Sequence, residues 1–296
     1  MENKFDGAVC AESVSKKPAV KIVTDSTTEI SQAEAKKLGI TVVPLKSLFG
    51  DEEFLDGIDF TPEEFFVKLS AAENLPTTSQ PSPHDFEKVF REAQNNGEQV
   101  IAICITDSMS GTGQSARIAK EICGGDIWVV DSETATIGIQ ILVKRALQLA
   151  AEKKSAQEIV CAIEKEKKEI RLFAAVDTLD FLLKGGRLSR TSAIVGSVLN
   201  VKPLITVLHG KLSTAGKCLG MKKAYKEIFK LAESSGEIDF SRPFAIGYTG
   251  DRERFGEFEE ICAQHFGEHK PIVACIGAVI GTHVGPGAVA ISYFKK

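Results

Sequence analysis

No apolar run in the 296-residue sequence approaches the roughly 20 residues that a membrane-spanning helix needs, so stable membrane insertion is not expected. Basic residues are not in excess: 36 Lys and Arg face 40 Asp and Glu, and a net charge of −4 gives no electrostatic footprint for nucleic acid. Residues 1–18 lack the apolar stretch of a signal peptide and read as a flexible N-terminal extension. The seven cysteines are odd in number and lack metal-knuckle spacing. Several sit in apolar, strand-like runs, where free cysteine behaves as a small hydrophobe. That usage excludes a disulfide framework and points to a reducing, cytoplasmic setting. Also missing are a G-x-S-x-G elbow, an H-E-x-x-H pair, a Walker loop and a kinase signature. Catalytic chemistry by this chain alone is therefore poorly supported.

What is present is an alternation of short β-branched runs and helical patterns, which predicts a parallel, doubly wound α/β sheet. Strands are expected at 19–24, 40–45, 99–106 and 127–131, with capping boxes at Ser31/Glu34 and Ser155/Glu158. The chain restarts with a strand at 172–176. Helices follow at 178–184 and 191–199, then strands at 201–208, 243–249 and 272–280, with a tight turn at 282–288. The division expected is 1–18 extension, 19–170 first domain and 171–296 second α/β domain.

Three of the ten prolines fall within Leu75-Pro76-Thr77-Thr78-Ser79-Gln80-Pro81-Ser82-Pro83, beside four hydroxyls. Proline fixes φ and removes a donor, so the stretch reads as a stiff extended loop, with Ser82 capping a helix that Pro83 opens. It is either a capped connector or one wall of an anion site at a helix N-terminus. A second constellation, Asp107-Ser108-Met109-Ser110-Gly111-Thr112-Gly113-Gln114-Ser115-Ala116, follows a strand and opens a helix. It comes close to a dinucleotide-binding fingerprint, but four residues separate the strand from the first glycine. A glycine-eased helix start and a hydroxyl-lined anion site stand beside that reading. In Gly185-Gly186-Arg187 the glycines expose an arginine whose planar fork suits carboxylate or phosphate, or is merely solvated. His283 lies between an apolar run and Gly285-Pro286-Gly287, where backbone can approach closely. The aspartates at strand ends (Asp25, Asp107, Asp131) could bind a metal, though Asp-Ser pairs more often cap helices.

Taken in order, Thr24-Asp25-Ser26-Thr27, Pro76–Ser82, Ser110–Ala116, Asp131-Ser132, Leu182–Ser189, Lys202-Pro203 and His283–Ala288 resemble the DegV family of bacterial fatty-acid-binding proteins. The resemblance runs from about Lys21 to the C-terminus. It implies two α/β domains holding one long-chain fatty acid between them, with no further cofactor and no metal. It also implies a lipid carrier, not an enzyme, that presents the acyl carboxylate to a separate fatty acid kinase for acyl phosphate formation and phospholipid synthesis. On this analogy Thr78 and Ser110 hydrogen-bond the carboxylate and Thr77, Ser79 and Ser108 lie nearby. Arg187 and His283 stand at the mouth and counter its charge. Many relatives carry Arg-x-Arg-Lys-Lys after the second domain's glycine turn, whereas this sequence has Leu219 and Met221 at the arginine positions. Two alternatives stay open: a nucleotide-binding enzyme using the 107–116 loop, and a sensor whose lipid occupancy controls another partner.

Overall fold

The structure, a computed structural model, describes residues 19–189, 200–250 and 252–296. Its first half holds β1 (Val20–Asp25), α1 (Gln32–Leu38), β2 (Thr41–Val43), β3 (Lys46–Phe49), β4 (Glu52–Leu55), α2 (Pro62–Ala71) and β5 (Thr77–Ser79). Then come α3 (Pro83–Asn95), β6 (Gln99–Cys104), α4 (Thr112–Cys123), β7 (Ile127–Asp131), α5 (Ile137–Ala151) and α6 (Ala156–Glu166). The second half holds β8 (Ile170–Ala175), α7 (Asp180–Lys184), β9 (Val201–Leu208), β10 (Lys211–Leu219) and α8 (Met221–Ser235). It closes with β11 (Ala245–Tyr248), α9 (Arg252–Phe266), β12 (Ile272–Cys275), α10 (Ala278–Val284) and β13 (Val289–Phe294).

The expected doubly wound sheet is there. Strands β2-β1-β6-β7 pair in that order, all parallel. Their residues alternate between two cores: Ile101 and Ile103 of β6 face α5 and α6, whereas Val100, Ala102 and Cys104 face α3 and α4. Apolar residues on both faces are what a strand covered by helices on both sides requires. Full capping boxes at Thr61/Glu64, Ser82/Asp85 and Ser155/Glu158 start α2, α3 and α6, whereas the box expected at Ser31/Glu34 is half made: Ser31 caps the Glu34 amide, but the Glu34 carboxylate pairs with Lys144. Each full box is worth about 1 kcal/mol by satisfying amides that the first turn leaves free.

The second sheet, β10-β9-β8-β13-β11-β12, has only its β11–β12 pair parallel. One face packs α8 and α9; the other turns toward the parallel sheet. Between the sheets lies α5, buried along its first seven residues. Ile137, Ile139, Ile141 and Leu142 are fully buried there, each contributing about 1.5–3 kcal/mol as an upper bound.

The structure departs from the sequence reading in three places. Residues 40–45 do not make one strand: β2 ends at Val43, and β3 and β4 form a hairpin. The proline-rich stretch is not simply a loop, because Thr77–Ser79 forms β5 and pairs antiparallel with β3. Pro76 and Pro81 flank these three residues, whose own amides remain available for pairing. The apolar run 272–280 is split, since β12 ends at Cys275 and α10 begins at Ala278. Residues 282–284 therefore end a helix, and the chain reverses at Gly285, whose φ of 74° suits glycine. A nine-residue apolar run does not distinguish strand from buried helix by periodicity. The helix expected at 191–199 lies outside the described residues.

Candidate functional site

A cavity of about 370 Å³ lies between the two sheets, within the size range of ligand pockets. Two-residue periodicity builds its floor. Leu172 and Ala174 of β8, Ile205 and Val207 of β9, and Ala290 of β13 point into it, while their neighbours Phe173, Leu204 and Ile291 point to the opposite core. The register sets Ala290 beside Ala174, so two small side chains face each other and leave the space open. Helix α10 makes one wall with Val279, Ile280, His283 and Val284, the spacing of one helix face. Leu45, Ile105 and Ala135 close the side toward the parallel sheet. The lining along this part of the cavity is apolar and suits an apolar chain.

One end is polar. Thr78, Ser79, Gln80, Ser110, Gly111, Arg187 and His283 line it. The hydroxyl of Thr78 lies 2.9 Å from Nε2 of His283. His283 is only 9% exposed, and its Nδ1 is buried without a hydrogen-bond partner among the described residues. Burial, reinforced by the Arg187 guanidinium, lowers its pKa from 6.5 to about 4, so the ring is neutral at pH 7. A neutral imidazole has one N–H, and a buried N–H without an acceptor is rarer than an unsatisfied lone pair. We therefore assign the proton to Nε2, which donates to Thr78 Oγ1 and leaves the threonine's own O–H free to donate into the cavity. Gly185 permits this arrangement: a Cβ there would collide with Nδ1 of His283.

Ser110 starts the turn into α4 and shares a 2.8 Å hydrogen bond with Thr112. Gln80 clamps the same turn, donating to the Gly111 carbonyl at 3.1 Å and to Ser115 Oγ at 3.0 Å. Arg187 bridges the rim, with Nε donating to the Met109 carbonyl (3.2 Å) and Nη1 to the Gly185 carbonyl (2.8 Å). Convergent hydroxyls and one cation at the end of an apolar slot can take an amphipathic acid. The hydroxyls satisfy its carboxylate, which is costly to bury without partners.

The seven sequence-predicted residues do not all reach this end. Thr78, Ser79, Ser110, Arg187 and His283 line the cavity. Thr77 does not: it is exposed and one position from Thr78 along β5, so it points to the opposite face, which the Ser79 side chain shares; Ser79 only borders the cavity, and its hydroxyl turns to the Gln80 carbonyl (3.4 Å). Ser108 is also absent from the lining, because its hydroxyl donates to the Gly210 carbonyl in the β9–β10 turn. His283 is neutral at pH 7 rather than a cation, and its ring faces the Thr78 hydroxyl. Gln80 and Thr136 line the cavity without having been singled out. Gln80 sat inside the proline-rich motif, whereas nothing around Thr136 in the sequence marks it. The fingerprint-like glycines open no phosphate cradle. The Gln80 side chain stands against Gly111 and the Asp107 carboxylate against Gly113, where Asp107 also pairs with Arg117 at 2.8 Å. Among the described residues no group of His, Cys, Asp and Glu could hold a metal ion.

A family model described as an uncharacterised protein of the DegV family matches residues 19–296. A DegV domain-containing protein of Caldanaerobacter subterraneus subsp. tengcongensis is 38% identical over 279 residues, covering 94% of this chain and 99% of the relative. Among solved structures, a DegV family protein from Thermus thermophilus, described by its fatty acid binding, superposes with a TM-score of 0.86 at 34% identity. That match covers 94% of this chain and 100% of the other. A stearic acid-binding protein from Eubacterium ventriosum gives a TM-score of 0.85 at 26% identity, covering 94% and 98%.

Proposed function

Because the chain belongs to the DegV family, we propose that it binds one long-chain fatty acid in the slot between its sheets, carboxylate toward Thr78 and Ser110. The observation that carries this reading is the Thr78–His283 pair at the polar end of an otherwise apolar slot. A neutral histidine that donates to Thr78 turns the threonine into a directed donor for a carboxylate oxygen. Each buried methylene adds about 0.8 kcal/mol, so the tail supplies affinity and the hydroxyls set orientation. On this reading Arg187 is the cation at the mouth, and two lobes meet near residue 170, each contributing one wall. The fatty acids bound by the similar proteins from Thermus thermophilus and Eubacterium ventriosum support the ligand class.

The chain acts in the cytoplasm as a carrier and presents the carboxylate to a separate kinase, which converts it to an acyl phosphate for phospholipid synthesis. Leu219, 57% exposed, and Met221 stand at the positions where the family resemblance expects arginines, so if those arginines dock the kinase, that contact is missing from this chain. The test is to purify the protein from a lipid-containing host, denature it and quantify the extract by mass spectrometry. About one long-chain fatty acid per chain is expected, and its absence would overturn the reading. With a competent kinase and ATP, Arg187→Ala and His283→Ala should lower acyl phosphate formation more than acyl binding. Bound lipid with no acyl phosphate from the unsubstituted protein would favour a lipid-occupancy sensor.

A further inference from the structure

The other end of α10 meets a different kind of group. Glu29, which follows β1, accepts the Gly277 amide at 2.7 Å through Oε2. Asp56, which follows β4, accepts the Ala278 amide at 3.1 Å through Oδ1. Both carboxylates come from the first half of the chain, Glu29 beside the parallel sheet and Asp56 beside the β3–β4 hairpin. Both amides belong to the start of the helix that walls the slot. The second oxygen of Glu29 accepts the Thr136 hydroxyl at 2.9 Å, and Thr136 itself lines the slot. Glu29 and Thr136 have φ of 61° and 47°, a region that costs a non-glycine residue about 1–3 kcal/mol and persists where the surroundings enforce it. The backbone is thus held in place to bring this carboxylate to Gly277.

We propose that Glu29 and Asp56 are positioning residues for the acyl slot: they seat the first turn of α10 across the two halves of the molecule and so set how readily that wall opens to exchange the chain. The inference rests on the lipid reading for its consequence, not for its geometry.

The chemistry of the seat follows from its surroundings. A neighbouring hollow of about 470 Å³ is lined by Glu29, Asp56, Glu34, Asp59 and Glu64, and by no lysine, arginine or histidine among the described residues. Glu34 is paired with Lys144, Asp59 accepts the Leu55 amide, and Glu64 caps α2. Asp25, also buried, accepts from Thr27 and Ile105. Cys275 at the end of β12 is held as a thiol, with its pKa pushed up to about 11 by burial. His283, at the far end of α10, faces Thr78. The counter-charge available to the pair is therefore a proton. Burial and then the Asp56 charge raise Glu29 well above the carboxylate range, and burial raises Asp56 from 3.8 to about 6. Such a pair titrates as a unit and shares a proton. The helix amides stabilise one negative charge but not a second, so the seat is firm at low pH and loosens as pH rises through these raised values.

The test compares the unsubstituted protein with Glu29→Gln and Glu29→Ala. Glutamine can accept from Gly277 and donate to Thr136, keeping the seat while removing the second negative charge, so that Asp56 alone titrates against the helix amides. Transfer of cis-parinaric acid to phosphatidylcholine vesicles should speed up roughly tenfold between about pH 6 and 8.5 in the unsubstituted protein, the effect of about one unit of proton linkage. In Glu29→Gln it should stay slow and flat, and in Glu29→Ala it should be fast throughout. The acyl carboxylate is common to all three, so its own titration cancels from the comparison. Amide hydrogen exchange of residues 276–284, corrected for intrinsic rates, should follow the same pattern without any lipid. Glu29→Gln keeping the full pH dependence, or Glu29→Ala matching the unsubstituted protein in both readouts, would overturn the proposal. If no acyl chain binds at all, the lipid reading fails and amide exchange alone decides the seat.

Discussion

At its N-terminal end α10 is gripped by a buried carboxylate, Asp56, and a half-buried one, Glu29, which accept backbone amides. At its C-terminal end it offers a single histidine to the hydroxyl of Thr78. Desolvation pushes each group toward its neutral form: the carboxylate pKa values rise and the imidazole pKa falls. The consequences differ. The carboxylates bind main chain and fix the position of a wall. The histidine binds a side chain and orients a donor that still has a proton to give. One seven-residue helix thus carries a structural end and a recognition end, with apolar residues facing the slot between them.

This contrast breaks most completely if the space beside the helix is filled while both ends are kept. Ala174→Phe should reduce co-purified fatty acid at least about tenfold with little change in the circular dichroism spectrum, because the new ring occupies volume the acyl chain needs. Full lipid occupancy in that variant would move the ligand elsewhere.

Next in size is a pair of pH slopes of opposite sign. His283, lowered to about 4, favours the folded state at neutral pH; this advantage is lost as pH falls from about 6.5 toward 4, by about 3 kcal/mol. Asp56, raised to about 6, works the other way: its contribution is complete below about 3.8 and is lost as pH rises through 6, again by about 3 kcal/mol. Denaturant unfolding of His283→Gln should lack the first slope and keep the second, whereas Asp56→Asn should keep the first and lose only the Asp56 share of the second, because Glu29 is raised in the same direction. Equal slopes in all three proteins would mean that the two ends are not chemically distinct.

A smaller effect is expected at the recognition end alone. Thr78→Val removes the directed donor and strands the His283 N–H. It should weaken fatty acid binding by about 1–3 kcal/mol in titration calorimetry, with Thr78→Ser restoring most of the loss. The smallest is Arg187→Gln. That side chain is exposed and already bonded to two carbonyls, so affinity should fall by less than about 1 kcal/mol.

Much of this architecture was legible in the residues. The apolar runs of β6 and β7 announced parallel strands, and the serine caps at Ser31, Ser82 and Ser155 marked where α1, α3 and α6 begin. Thr78, Ser110, Arg187 and His283 stood out because hydroxyls, glycine pairs and a glycine-flanked histidine are local signals. What stayed hidden depends on distant partners. β5 is a strand only because β3 lies beside it. Ser108 looked like Ser110 until Gly210, 102 positions away, took its hydroxyl. Thr77 and Thr78 differ only in which face of a three-residue strand they occupy. Glu29 and Asp56 carried no signal, since a carboxylate that caps a helix 222 positions or more away looks like any surface acid.

The central claim is that a neutral His283–Thr78 pair, with Ser110, reads an acyl carboxylate at the end of an apolar slot. The most direct test is to measure binding of stearic acid and of methyl stearate to the delipidated protein and to the Thr78→Val/Ser110→Ala double variant. The account predicts that the unsubstituted protein prefers the acid by at least about tenfold, since each lost donor bond is worth roughly 1 kcal/mol or more. It also predicts that the double variant binds both alike. Equal binding of acid and ester by the unsubstituted protein would contradict it.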